Sequence, residues 1–228
     1  MLKIEGLRYH RDGFNLAADF SLAKGARAAI IGPSGGGKST LLSLIAGFEQ
    51  PDDGSVHWDG QYLGSIEPGK RPVAVLFQDN NLFPHLDLLT NVALGASPRA
   101  RPNQVALDRA RDALSQVGLE EFEERKPGAL SGGQQSRAAL ARILLTERPL
   151  VLMDEPFAAL GPAMRMEMQE LVVRLLPEAT LLMVSHDPGD AKRFATQVLF
   201  VNSGKVSPPV ETPEFFANPD GDVAEYLN

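Results

Sequence analysis

The chemistry of this chain concentrates in Gly32-Pro33-Ser34-Gly35-Gly36-Gly37-Lys38-Ser39-Thr40. Gly32, Gly37, Lys38 and Ser39 keep the spacing of a glycine, four residues, then Gly-Lys-Ser, a pattern that wraps a loop around phosphate. Its glycines, with Ser34, Gly35 and Gly36 between the ends, let backbone N–H groups curl around phosphate oxygens, and a helix N-terminus behind them adds partial positive charge. Lys38 reaches the terminal phosphates, the Ser39 hydroxyl ligates Mg²⁺, and Thr40 adds a phosphate contact. A merely flexible glycine loop is the bland alternative, and the apolar strand before it and helix after it argue against that.

Two further clusters carry charge or donors. Leu150-Val151-Leu152-Met153 runs into Asp154-Glu155, so a buried strand delivers two carboxylates at its C-terminal end, where ligands of open α/β sheets bind. Asp154 is placed to hold Mg²⁺ through water and Glu155 to polarise an attacking water; a solvated strand end is the lesser reading. Leu130-Ser131-Gly132-Gly133-Gln134 opens a helix, where Ser131 and the backbone of Gly132 and Gly133 present donors to an anion. One nucleotide offers its γ-phosphate to only a few groups, so this second, lysine-free phosphate reader points to a nucleotide held by another copy of the chain. Taken alone, it is equally a helix cap followed by a glycine turn.

The elements that position these residues alternate strand and helix. Ala26 to Ile31 reads as a strand into the glycine loop, and Leu41, Leu42, Leu44 and Ile45 as the helix after it. Turn clusters at Pro51-Asp52-Asp53-Gly54 and Asp59-Gly60 flank Ser55 to Trp58, and with the strand Pro72 to Phe77 the stretch reads as antiparallel. Ala106, Ala110, Ala113, Leu114 and Val117 have helical spacing between Asn103 and Gly118, and a second helix runs from Ser131 until Pro149 stops it. Leu150 to Met153 and Thr180 to Val184 are buried parallel strands separated by a helix bearing Met164, Met168, Leu171 and Leu175. Val198 to Val206 turns as a hairpin through Asn202-Ser203-Gly204, and a last helical piece follows Pro208-Pro209.

Composition closes off other classes. In 228 residues, 22 Lys and Arg against 29 Asp and Glu leave a net charge of −7, which lacks the basic excess of a nucleic-acid binder. Without cysteine there is no disulfide framework, iron-sulfur cluster or cysteine zinc site, which suits a reducing compartment. No apolar run approaches the roughly 18 residues of a spanning helix, so the chain is expected to borrow any membrane span from a partner.

With these motifs in order, the chain resembles the ATP-binding-cassette ATPases over nearly its whole length: Walker A at Gly32 to Ser39, a Q-loop glutamine at Gln78, the signature Leu130 to Gln134, Walker B ending in Asp154 and Glu155, and a switch histidine at His186. The resemblance implies an α/β fold of the P-loop NTPase (RecA-like) type. In it a mostly parallel sheet core with an antiparallel β subdomain spans approximately 1–78 and 149–228, and an inserted α-helical subdomain spans approximately 79–148. It also implies ATP and Mg²⁺ as cofactors, with Ser39, Gln78 and Asp154 at the metal, Glu155, His186 and Gln78 around the attacking water and γ-phosphate, and Tyr9 where relatives stack adenine; a core tyrosine is the other reading of Tyr9. Two cassettes would pack head to tail, Ser131, Gly132, Gly133 and Gln134 of each closing on the other's ATP. Read from the residues alone, Gln78 is a polar strand end, while His186, between the strand Thr180 to Val184 and the helix start Asp187-Pro188, shares the sheet edge of Glu155.

Two positions depart from the family pattern: Gly161 stands where relatives usually have aspartate, and Gln135-Ser136-Arg137 lacks the usual basic residue directly after the signature glutamine. Leu82, Phe83 and Leu86 after Gln78 read either as a groove for a permease helix or as core. The sequence runs only a short way past the Val198 to Val206 hairpin, so the C-terminal regulatory domain many import cassettes carry is expected to be absent. Within the family, the start Met1-Leu2-Lys3-Ile4, the run Arg71 to Phe83 and Leu181-Leu182-Met183-Val184-Ser185-His186 resemble the ATPases of bacterial thiamine importers. That likeness implies an ATPase on the cytoplasmic face of the inner membrane, working as a homodimer under an integral membrane permease fed by a periplasmic solute-binding protein. The alternatives are an importer of another small solute, a soluble remodelling ATPase, or a switch that hydrolyses negligibly.

Overall fold

In the computed structural model, residues 1–98, 101–219 and 221–227 are described. Alternating burial makes strands of Leu2–Arg11 (β1) and Phe14–Leu22 (β2), followed by Arg27–Ile31 (β3), the helix Lys38–Ala46 (α1), Asp53–Trp58 (β4), Gln61–Tyr62 (β5) and Val73–Leu76 (β6). Then come helices Leu88–Ala96 (α2), Gln104–Gln116 (α3) and Gly132–Leu144 (α4), strand Leu150–Asp154 (β7), helix Pro162–Leu175 (α5), strand Thr180–Val184 (β8) and helix Pro188–Phe194 (α6). Strands Gln197–Asn202 (β9), Lys205–Val206 (β10) and Val210–Glu211 (β11) precede two short helices, Thr212–Ala217 (α7) and Gly221–Leu227 (α8).

The backbone divides into two compact units, Met1–Val73 with Pro149–Glu155 and Glu178–Asn228, and Ala74–Arg148 with Pro156–Pro177. The second is wider than the helical stretch 79–148 read from the sequence. It takes in α5 because that helix packs on α4, where Arg137 and Glu167 form an ion pair.

In the first unit the strands run β5-β4-β1-β2-β10-β9-β3-β8-β7. The half that carries β3, β7, β8 and β9 is parallel and the half that carries β1, β2, β4 and β5 is antiparallel. Parallel β7 and β8 are buried along almost their whole length, as strands covered on both faces must be, hence their continuous Leu, Val and Met runs. In β1 a bulge at Gly6, with φ +54°, adds one residue, so Leu2 and Ile4 before it and Leu7 and Tyr9 after it all face the core. The antiparallel partners of β4 are β1 and β5. The strand at 73–76 is not among them; Pro72, just before it, accepts from the Leu150 N–H (3.3 Å).

In the second unit α2, α3 and α4 each start on a side-chain cap, while α5 starts at Gly161 with Pro162 in its first turn. Asp87 accepts from Thr90 N–H (2.7 Å), Asn103 from Ala106 N–H (2.9 Å), and Ser131 from Gln134 N–H (3.3 Å). Ala106, Ala110, Ala113 and Leu114 are buried as their spacing predicts, and small residues bring the helices close. Where α2 meets α4, a Cβ on Gly95 would lie 2.1 Å from the Arg142 carbonyl oxygen.

Candidate functional site

Three parallel strands of the first unit end side by side, and each end carries chemistry. β3 runs into Gly32, β7 into Asp154 and Glu155, and β8 into Ser185 and His186. Glycine is required where the loop folds back. Gly32 has φ +142° and a Cβ there would lie 2.0 Å from the Val201 carbonyl oxygen, while Gly37 caps α1 at φ +110° under the Phe14 ring. The hairpin β9–β10 braces the loop from behind: Gly204 N–H donates to Gly36 C=O (3.0 Å), and Ala17 N–H donates to Gly204 C=O (2.7 Å).

Phe14, Ser34, Gly35, Gly37, Lys38, Ser39, Thr40 and Glu155 line a cavity of about 360 Å³, within the size range of small-ligand sites. The Lys38 ammonium is buried and donates to the carbonyls of Gly32 (2.8 Å) and Pro33 (2.9 Å). Burial lowers its pKa, with Glu155 and Asp154 opposing. Ser39 Oγ donates to Asp154 Oδ1 (3.0 Å), and burial pushes Asp154 up despite that hydrogen bond. His186 Nδ1 lies 3.0 Å from Glu155 Oε2. Glu155 itself has φ +46°, a left-handed backbone that costs on the order of 1–3 kcal/mol outside glycine and recurs at functional sites. Its N–H donates to Val184 C=O (3.2 Å), which holds the carboxylate at the β8 end.

The donor set suits a polyphosphate with a hard cation. A lysine and a ring of amides sit beside a hydroxyl and a carboxylate whose oxygens already meet, and hard divalent cations prefer oxygen ligands.

Gly32, Ser34, Gly35, Gly36, Gly37, Lys38, Ser39, Thr40, Asp154, Glu155 and His186 all lie in this unit. Tyr9 does too, but it is buried in β1 and borders a separate cavity of about 500 Å³ with Arg8, His10, Asn15 and Asp52. The aromatic ring on the phosphate-loop cavity is Phe14, which sequence reasoning missed although it follows the Asp12-Gly13 turn.

The remaining residues belong to the second unit. Gln78 is exposed in the turn after β6. Ser131 and Gln134 form a reciprocal capping box, since the Ser131 N–H donates to Gln134 Oε1 (2.9 Å). Ser131 and Gly132 are exposed, and a Cβ on Gly133 would lie 2.2 Å from Met164 Sδ. After Gln78, Asn80 and Asn81 both have positive φ, and Arg142 donates to their carbonyls at 3.0 and 2.7 Å. Phe83 is 45% exposed, and the Asn91 side chain pins its N–H and C=O. Gly161 adopts φ −65° with open space around a Cβ, so the backbone there does not require glycine.

Residues 17–158 match the family model described as ABC transporter. The thiamine import ATP-binding protein ThiQ of Cereibacter sphaeroides is 52% identical over 231 residues, spanning 100% of this chain and 99% of its own. The chain belongs to the ABC transporter family. Its cassette relatives include a protein of the same printed name from Ruegeria, 48% identical across 100% of this chain and 99% of that one. Among solved structures, the dimeric post-hydrolysis state of the ATP-binding cassette MJ0796 bound to ADP and Pi aligns with a TM-score of 0.78 at 29% identity, covering 93% of this chain and 99% of that one. The fold is thus that of an ABC ATPase cassette. Among the described residues no helix is long and apolar enough to cross a membrane.

Proposed function

We infer that this chain is the ATP-hydrolysing subunit of an ABC importer for thiamine, with its phosphate esters as further cargo. The observation that carries the chemistry is the convergence of Lys38, the Ser39–Asp154 contact and the Glu155–His186 contact at neighbouring strand ends. The relatives' printed function, at 48–52% identity over essentially whole chains, supports the cargo.

In this reading Lys38, Thr40 and the amides of Ser34, Gly35, Gly36 and Gly37 hold the phosphates. An aromatic ring stacks the adenine: Phe14 stands on the loop cavity, whereas Tyr9, the residue the resemblance implies, is buried beside a separate one. Ser39, Asp154 and Gln78 would hold Mg²⁺, which when bound neutralises phosphate oxygens. Glu155, held in its strained backbone by Val184, takes the proton of the attacking water, and His186 donates to the γ-phosphate. A positioned base contributes about 10²–10⁴ in rate. Ser131 with the amides of Gly132 and Gly133 reads the γ-phosphate held by a second copy, and Gln134 keeps Ser131 in its cap. The closed dimer is favoured because ATP binds it better than the open one. An integral membrane permease supplies the membrane span, a periplasmic solute-binding protein delivers the cargo, and the chain works on the cytoplasmic face.

Vesicles holding the chain with its cognate permease and binding protein test this: thiamine should stimulate phosphate release. Stimulation by a different solute with none by thiamine would overturn the cargo, and no hydrolysis under any condition would overturn the enzyme.

A further inference from the structure

α8 lies beyond the stretch 17–158 that matches the family model, yet it reaches the chemistry. The Tyr226 hydroxyl donates to the His186 carbonyl oxygen (3.0 Å). The ring packs against Phe200 of β9 with centroids 5.6 Å apart, and Asn202 Nδ2 donates to Asp222 Oδ2 (2.6 Å), so α8 is fastened to β9 at two points. One half-buried phenol therefore ties α8 to the backbone of the histidine loop.

His186 needs such a support. Its side chain is 54% exposed, so little packing fixes the imidazole. Its direction depends on the backbone of residue 186, which stands between the end of β8 and Asp187, the cap of α6. We propose that Tyr226 is a positioning residue for His186: its hydroxyl fixes the 186 carbonyl, and through it aims the imidazole that meets Glu155. This rests on the roles given above to His186 and Glu155.

Tyr226→Phe removes the hydroxyl and keeps the ring on Phe200. The hydrogen bond it deletes is of the neutral kind, so kcat for ATP should fall about threefold to tenfold, with a smaller change in KM. Imidazole proton signals supply a readout that a general structural defect would move differently. Tyr226→Phe should shift the signal of His186 and leave those of His10, His57 and His85 in place. Asp222→Ala, which loosens α8 without touching the phenol's partners, should lower kcat in the same direction by less. An unmoved His186 signal, an unchanged kcat, or a shift of all four histidines together would overturn the proposal. Glu155→Gln and His186→Ala are assayed alongside. If both are inactive while Tyr226→Phe turns over normally, the site reading stands and the positioning role falls; a fully active His186→Ala overturns both.

Discussion

Replacing Arg71 by methionine tests how the first unit holds its phosphate helix. Arg71 is 1% exposed, and its guanidinium donates to Ile66 C=O (3.0 Å), Leu44 C=O (3.1 Å) and Ile45 C=O (2.8 Å). Leu44 and Ile45 lie in the last turn of α1, whose carbonyls have no partner within the helix, and a cation there also meets the negative end of the helix dipole. Methionine keeps an unbranched apolar stem, so the cavity left is small and the loss is that of three charge-assisted bonds, each about 1.5–3 kcal/mol. Relief from burying a cation, itself several kcal/mol, offsets part of this. A net loss of about 2–4 kcal/mol remains, and for a chain of this size each kcal/mol moves Tm by about 2–4 °C. Thermal melting and urea titration should therefore show Tm lowered by about 5–15 °C. Nucleotide affinity should fall as well, because Lys38 and Ser39 sit on that helix. A double-mutant cycle sharpens the test. At Gly47, φ +89°, an added Cβ would lie 2.4 Å from Arg71 Cζ. Gly47→Ala should cost less in the Arg71→Met background than in the wild type, where the guanidinium blocks the methyl group. A Tm within about 2 °C of wild type for Arg71→Met, less than the shift expected from 1 kcal/mol, would refute the capping argument.

Ser131→Ala separates the two readings of the signature helix: losing the capping box should cost about 1 kcal/mol of stability, while a role at the partner's γ-phosphate should also cut turnover at saturating ATP far beyond that. Turnover close to wild type would leave Ser131 a cap and nothing more. The depressed Lys38 pKa predicts a pH dependence of nucleotide affinity. A bound phosphate favours the protonated amine, so above the free-state pKa binding must take up a proton, and affinity should weaken as pH rises through that pKa and level off below it. Calorimetric titration in buffers of different ionisation enthalpy would show the proton uptake; an affinity independent of alkaline pH would contradict it.

The parallel core was legible because its signals are local. Gly-Lys-Ser after an apolar run, and Asp-Glu or Ser-His after another, mark strand ends that a parallel sheet brings together whatever lies between. The Asn202-Ser203-Gly204 turn was readable for the same reason, and the caps Asn103 and Ser131 announced α3 and α4. The role of that hairpin as a brace for Gly36 was not, since it depends on contacts across 168 positions of sequence between Gly36 and Gly204. The bulge at Gly6 breaks the alternation of β1, so neither β1 nor its pairing with β2 and β4 was anticipated. The strand at 73–76 is grouped with the antiparallel stretch by its nearness in sequence, although the antiparallel partners of β4 are β1 and β5. The last helical piece divides into α7 and α8 around Asn218-Pro219. Arg71, Arg142 and Tyr226 act through backbone carbonyls, which leave no motif, so only the folded arrangement reveals them.

Light scattering on Glu155→Gln with and without Mg²⁺ and ATP tests most directly that two copies share the nucleotide. The expected result is a monomer mass without ATP and a doubled mass with it, two ATP retained per dimer, and a return to monomer mass on adding Ser131→Arg while each chain still binds ATP. A monomer that binds ATP without pairing, or a dimer indifferent to Ser131→Arg, would contradict the account.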